Sequence, residues 1–109
     1  EYNMKIRLEE QMIRFRISPE EREELNAGNQ VIMHAHLSVE HPLEICLCVH
    51  ADVHDITCGF DGSRICVELA AHTLEALNAA PEKGIQRDYP AENPMVTILV
   101  EQDRPLRRK

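Results

Sequence analysis

The chain nearly repeats itself, and that limits its folds more than any single motif does. A shift of 52 residues lays EELNA at 23–27 on EALNA at 75–79, and Ile13, Phe15 and Ile17 on Ile65, Val67 and Leu69. Ile6 and Leu8 then fall on Cys58 and Phe60, and Pro42 falls on Pro94. A unit recurring within 109 residues is too short to bury an apolar face alone, so two copies must close on each other. We read half-repeats 4–50 and 55–102, related by a pseudo-twofold axis, inside one domain spanning 4–103.

Local patterning supplies the elements. Met4, Ile6 and Leu8 alternate with Lys5, Arg7 and Glu9, and Ile13, Phe15 and Ile17 alternate with Arg14 and Arg16. Both stretches, 4–9 and 12–18, predict half-buried strands. Next comes a helix with Ser18 at the N-cap, Pro19 at its first position, Glu20 and Glu21 at its positive end, and Gly28 to close it. Residues 30–38 and 43–50 predict two more strands. DITCGF and RICVEL flank Asp61-Gly62-Ser63, a hairpin signal because Asp-Gly tolerates positive φ. A second helix is expected over about 70–79, with Pro81 as its stop. The Pro and Gly content of 81–94 reads as loop, and 95–102 as a final strand. The expected class is α+β: a curved, mainly antiparallel sheet or open barrel of seven to eight strands with two helices, built from strand-strand-helix-strand units.

Composition excludes several functions. Aromatics are 4% with no Trp, so the core must be aliphatic and no stacking platform for single-stranded nucleic acid is expected. Net charge is −7, and the last six residues hold four of the positives, leaving residues 1–103 near −11. So acidic a body repels phosphate backbones, so neither nucleic acid nor an anionic membrane is an expected partner. No apolar run approaches the roughly 18 residues that span a bilayer, and EYNMKIRLEE lacks the apolar stretch of an export signal. Met4 reads as the native start with residues 1–3 extraneous to it, and 104–109 as a flexible basic tail. A cytoplasmic location with four reduced cysteines follows.

Several of these segments resemble a family of short, uncharacterised bacterial proteins. Its members open on a Met-Lys-Ile-Arg strand, continue with Ile-Arg-x-Arg, and close on a Leu-Val-Glu-Lys-Asp-like strand. Here the matching residues are Met4-Lys5-Ile6-Arg7, Ile13-Arg14-Phe15-Arg16-Ile17 before the Glu-rich helix, and Ile98-Leu99-Val100-Glu101-Gln102-Asp103. The family usually continues with an aromatic and a Cys, where this chain has Arg104-Pro105-Leu106. The resemblance implies an order of elements and assigns no activity or catalytic residue.

Two constellations carry chemistry. VIMHAHLSVEHPLEICLCVH at 31–50 gathers four of six histidines and two of four cysteines. In a hairpin turning across 39–42, His34 and His36 share a face with Glu44, Cys46, Cys48 and His50. His36 then stands opposite Cys46 or Glu44, and His34 opposite Cys48 or Cys46, which could bring imidazoles and thiolates around one zinc ion. Cysteine also serves as a small buried hydrophobe, and strand-borne His-x-His and Cys-x-Cys are not the loop-borne knuckles of structural zinc sites. We therefore expect packing and no cofactor, with zinc at His34, His36, Cys46, Cys48 and His50 as the alternative. Cys46 and Cys48 lie too far apart along one strand to bond each other. The second constellation is Lys5, Arg7, Arg14 and Arg16 on one outward face, either an anion site or a surface paired with acids such as Glu9 and Glu68.

Enzyme signatures are thin. There is no Gly-rich phosphate loop, nucleophile elbow or His-Glu-x-x-His, and nothing selects a pair among Cys58, Cys66, His54 and His72. The expected function is therefore non-catalytic: a protein-binding or self-associating module, with homodimerisation through an open strand edge the natural form. Metal binding on the His/Cys hairpin is the alternative, and small-anion binding on the arginine face a third.

Overall fold

Alternation takes effect as expected in β2 (Met12–Ile17), where Ile13, Phe15 and Ile17 are buried while Arg14 and Arg16 face out. The computed structural model describes residues 4–103, so the expectations for 1–3 and 104–109 lie outside the described residues. β1 (Lys5–Glu9) pairs antiparallel with β2, and α1 (Pro19–Asn26) follows at once. Ser18 and Glu21 form a reciprocal capping box: Ser18 Oγ accepts from Glu21 N at 3.1 Å, and Glu21 Oε1 accepts from Ser18 N at 2.9 Å. At the other end Gly28 takes φ +87°, letting Asn29 N reach Glu24 O at 2.9 Å and Gly28 N reach Leu25 O at 3.0 Å.

β3 (Val31–Ala35) and β4 (Leu43–Val49) form the next antiparallel pair, then β5 (Ile56–Phe60) and β6 (Arg64–Leu69), then α2 (Ala71–Ala79). In the β5–β6 turn Asp61 Oδ1 accepts from Ser63 N and Arg64 N, and Gly62 sits at φ +98°. β7 (Ile85–Tyr89) and β8 (Val96–Gln102) complete the chain. β7 corrects the expectation of a continuous loop over 81–94. It is five residues long and bounded by Gly84 and Pro90, so breakers hide its alternation of Ile85, Arg87 and Tyr89 with Gln86 and Asp88.

Among the described residues two helices and eight strands make an α+β fold, but the strands divide into two mixed sheets, β1-β2-β8-β7 and β3-β4-β6-β5, rather than one curved sheet or open barrel. Each helix carries the chain from one sheet to the other, so a hairpin cannot pair with the second hairpin of its own half. It pairs instead with that of the other half, through the central parallel ladders β2/β8 and β4/β6; the other four ladders are antiparallel. This exchange ties the two halves together through both sheets.

The inner faces of both sheets and one side of each helix meet in a single aliphatic core. Phe15, Ile17, Val100 and Ile98 come from one sheet, Leu47, Ile45, Val67 and Leu69 from the other, and the equivalent residues Leu25 and Leu77 from the helices. Asn26 and Asn78, 52 positions apart, exchange side-chain amide hydrogen bonds at 3.3 and 2.7 Å, as two residues beside a twofold axis should. The register shows where the copies drift. Ile13/Ile98 corresponds to Ile65/Ile45, a spacing of 52 for β2/β6 and 53 for β4/β8, so Pro42 corresponds to Met95 and not to Pro94.

The helix starts have diverged. Ala70 offers α2 no side-chain cap, and Asp55 tethers the start of the helix from outside it through the Thr73 side chain. The fully buried Thr73 hydroxyl donates to Asp55 Oδ1 (2.6 Å), Arg87 Nε donates to Oδ2 (3.0 Å), and Ala70 N donates to the Asp55 carbonyl (2.9 Å). Partial burial works to raise the Asp55 pKa, but Thr73, Arg87 and His72 outweigh it and hold the carboxyl below its ordinary range. Asp55→Ala should cost roughly 1–3 kcal/mol. Because the folded pKa is depressed, the part of this contribution that belongs to the ionised carboxylate is fully present above the unfolded value of about 3.9 and is lost as pH falls through the folded one. Urea denaturation from neutral to acid pH should therefore show the gap between wild type and Asp55→Ala narrowing as the solution is acidified.

Candidate metal centre

On the outward face of the second sheet, β4 presents Glu44, Cys46 and Cys48, and β6 presents Arg64, Cys66 and Glu68. These side chains are placed by the same alternation that buries Ile45, Leu47, Val67 and Leu69. The parallel register sets Cys46 beside Cys66 and Cys48 beside Glu68. The sulphur atoms of Cys46, Cys48 and Cys66 all lie within 4.8 Å of one another, a group that could hold a metal ion.

The surroundings grade from closed to open. Cys46 is fully buried; its thiol donates to Gln30 Oε1 at 3.1 Å, and Arg64 Nη2 donates to the same oxygen at 3.3 Å. Arg64 Nε stands 2.7 Å from Glu44 Oε2, an ion pair without an aligned hydrogen bond. Cys48 and Cys66 are half-buried. On the β5 side, Cys66 faces Gly59, where even an added Cβ would meet nothing within 4 Å. Burial, reinforced by the proximity of Cys46, pushes the Cys48 and Cys66 thiols above the ordinary range, and burial alone raises Cys58 on the inner face of β5.

A model of DUF7009, described as a family of unknown function, matches residues 4–105 of the chain. The chain belongs to DUF7009. No curated protein matches it. The family carries no activity from which site residues could be transferred, so the DUF7009 chain is read from its own geometry.

The structure brings Cys46 and Cys48 together as the hairpin pattern suggested, but with Cys66 rather than with the histidines. β3 ends at Ala35, and the loop to β4 spans 36–42, longer than the expected 39–42 turn. That loop sets the register so that His34 opposes Glu44, at 3.5 Å, and Ile32 opposes Cys46. His36 lies exposed in the loop, and His50 follows β4, its Nδ1 accepting from Asp52 N. Alternation already placed Cys66 on the polar side of β6. What the chain did not disclose was that β6 lies beside β4.

Lys5, Arg7, Arg14 and Arg16 do share one face, on the first sheet. Arg14 Nη2 and Arg16 Nε converge on Glu101 Oε2 at 2.6 and 2.8 Å, Lys5 reaches Asp103 at 3.3 Å, and Arg7 reaches Glu9 at 3.3 Å. Burial works to raise the pKa of Glu101, but the two guanidiniums outweigh it and hold the carboxyl low. Glu68 belongs to the other sheet, where it accepts from Thr57 Oγ1. Among the described residues no helix is long and apolar enough to cross a membrane.

Proposed function

We propose that Cys46, Cys48 and Cys66 bind one thiophilic transition-metal ion, of the zinc class, through three thiolates. A single observation carries this: three thiols from two adjacent strands converge within 4.8 Å. Zinc–thiolate bonds of about 2.3 Å in a tetrahedron hold sulphurs about 3.8 Å apart, so an ion draws these atoms inward by about an ångström or less. Soft sulphur donors select such ions over magnesium or calcium. Gln30 suits both forms of the site, since its amide can accept from a thiol or, rotated, donate to a thiolate. Half-exposed Cys48 and Cys66 leave the fourth coordination position on the solvent side, which favours binding and exchange over a sealed structural site. Thiols held protonated are poor nucleophiles, which sets Cys48 and Cys66 apart from a catalytic cysteine.

Competition against a chromophoric zinc chelator, under reducing conditions, tests the proposal. Wild type should bind one equivalent, and Cys46→Ser, Cys48→Ser or Cys66→Ser should each weaken binding about a hundredfold or more, whereas Cys58→Ser should leave it unchanged. Equal affinity in wild type and Cys66→Ser would contradict the assignment. Because the ion displaces protons from thiols of raised pKa, apparent affinity should climb steeply as pH increases from about 6 to 8, with proton release visible in weakly buffered solution.

A further inference from the structure

The duplication places a second, different chemistry at the corresponding point of the other sheet. The spacing of 52 takes Arg14 to Cys66 and Arg16 to Glu68, and the spacing of 53 takes Glu101 to Cys48. Where one face gathers soft donors, the other gathers cations. In the β1/β2 register Lys5 directly opposes Arg16 and Arg7 directly opposes Arg14, so four cations stand at the corners of a square centred between the opposed residues Ile6 and Phe15. Like charges placed directly across a ladder destabilise it. These side chains, with Ile6 as the floor, line a groove of about 140 Å³.

Edge protection does not account for the square. Lys5 and Arg7 lie on the edge strand β1, where charges deter pairing with another chain, but Arg14 and Arg16 lie on β2, which is paired on both sides. The equivalent edge strand β5 carries Thr57 and Gly59 at the matching positions, with no cation. Glu101 does not neutralise the square either. Arg14 and Arg16 share one of its oxygens, and Glu9 and Asp103 bring the acids to three against four cations. Lys5 and Arg7 remain about two-thirds exposed, with side-chain accessibilities of 70% and 65%.

We propose that the groove bounded by Lys5, Arg7, Arg14 and Arg16 binds a phosphate-class dianion, independently of the metal centre. Arg14 and Arg16, pinned by Glu101, present donors fixed in direction, and Lys5 and Arg7 close over the ligand from the edge strand. Glu101 orients the arginines and also competes with the ligand for them.

Inorganic phosphate is the probe, titrated against sodium chloride at matched ionic strength and read by calorimetry and thermal shift. Wild type should bind phosphate saturably. Arg7→Ala and Lys5→Ala, at exposed side chains whose loss leaves the core intact, should each weaken binding about tenfold. Lys83→Ala, at an exposed cation elsewhere, should leave it unchanged. Glu101→Gln should strengthen binding several-fold by removing the internal competitor. A phosphate response that matches chloride, or one equally strong in Arg7→Ala and Lys83→Ala, would overturn the proposal.

Discussion

Replacing Gly84 by Ala should lower the unfolding free energy by about 3–5 kcal/mol, from backbone strain together with overlap against a packed strand. Gly84 joins α2 to β7 at φ +81°, a conformation that costs an L-residue about 1 kcal/mol or more. A Cβ there would also run into the Val100 carbonyl oxygen and stand 2.7 Å from Glu101 Cβ and 3.0 Å from Glu101 Cα. These atoms belong to β8, whose Val100 is fully buried, so they cannot yield without disturbing the core. Gly28 separates the two effects. It shares the positive φ, at +87°, but a Cβ there meets nothing within 4 Å. Gly28→Ala should therefore cost only about 1 kcal/mol. Chemical denaturation of the two variants side by side checks this, and equal losses would show that the overlap at Gly84 relaxes freely.

Phe15→Ala should be comparably severe, about 3–5 kcal/mol. Phe15 is fully buried on β2, the strand that joins β1 to the exchanged strand β8, and the core around it is otherwise almost entirely aliphatic. Its equivalent in the second half is Val67, also fully buried, and Val67→Ala should cost less, roughly 1.5–3 kcal/mol. The two equivalent positions are filled unequally: one half holds the large residue, the other the small one. Urea unfolding with an unchanged slope and a shifted midpoint would confirm that the loss lies in stability alone.

The strands around Phe15 and Val67, both helices and the caps of α1 were legible because period-two alternation, a Ser-Pro-Glu-Glu start and the Asp61-Gly62 turn act locally. β7 was not, because Ile85–Tyr89 offers only two complete alternations between a Gly and a Pro. The sheet order was not legible either. Whether a hairpin pairs within its half or across halves depends on where each helix leads the chain, and the apolar pattern is the same in both cases. That non-local fact also hid the site. Cys46 and Cys48 could be placed on one face from β4 alone, whereas Cys66 joins them only because β6 lies alongside. The alternative ligand set took in the histidines because a turn across 39–42 would set them opposite the cysteines; the longer loop at 36–42 slid His34 to Glu44. Divergence is sharpest on the outward faces, where no shared core restrains it. Gln30, which covers Cys46, aligns with Gly84, since Val31 and Ile85 begin equivalent strands. One half keeps a side chain in that slot, and the other brings backbone against backbone.

X-ray absorption at the zinc edge of the zinc-loaded, reduced chain tests the metal centre most directly. The Cys46, Cys48 and Cys66 assignment predicts three sulphur scatterers at about 2.3 Å and one lighter atom at about 2.0 Å, with one sulphur lost in Cys66→Ser. A first shell of nitrogen and oxygen only, or a sulphur shell unaltered in Cys66→Ser, would contradict it.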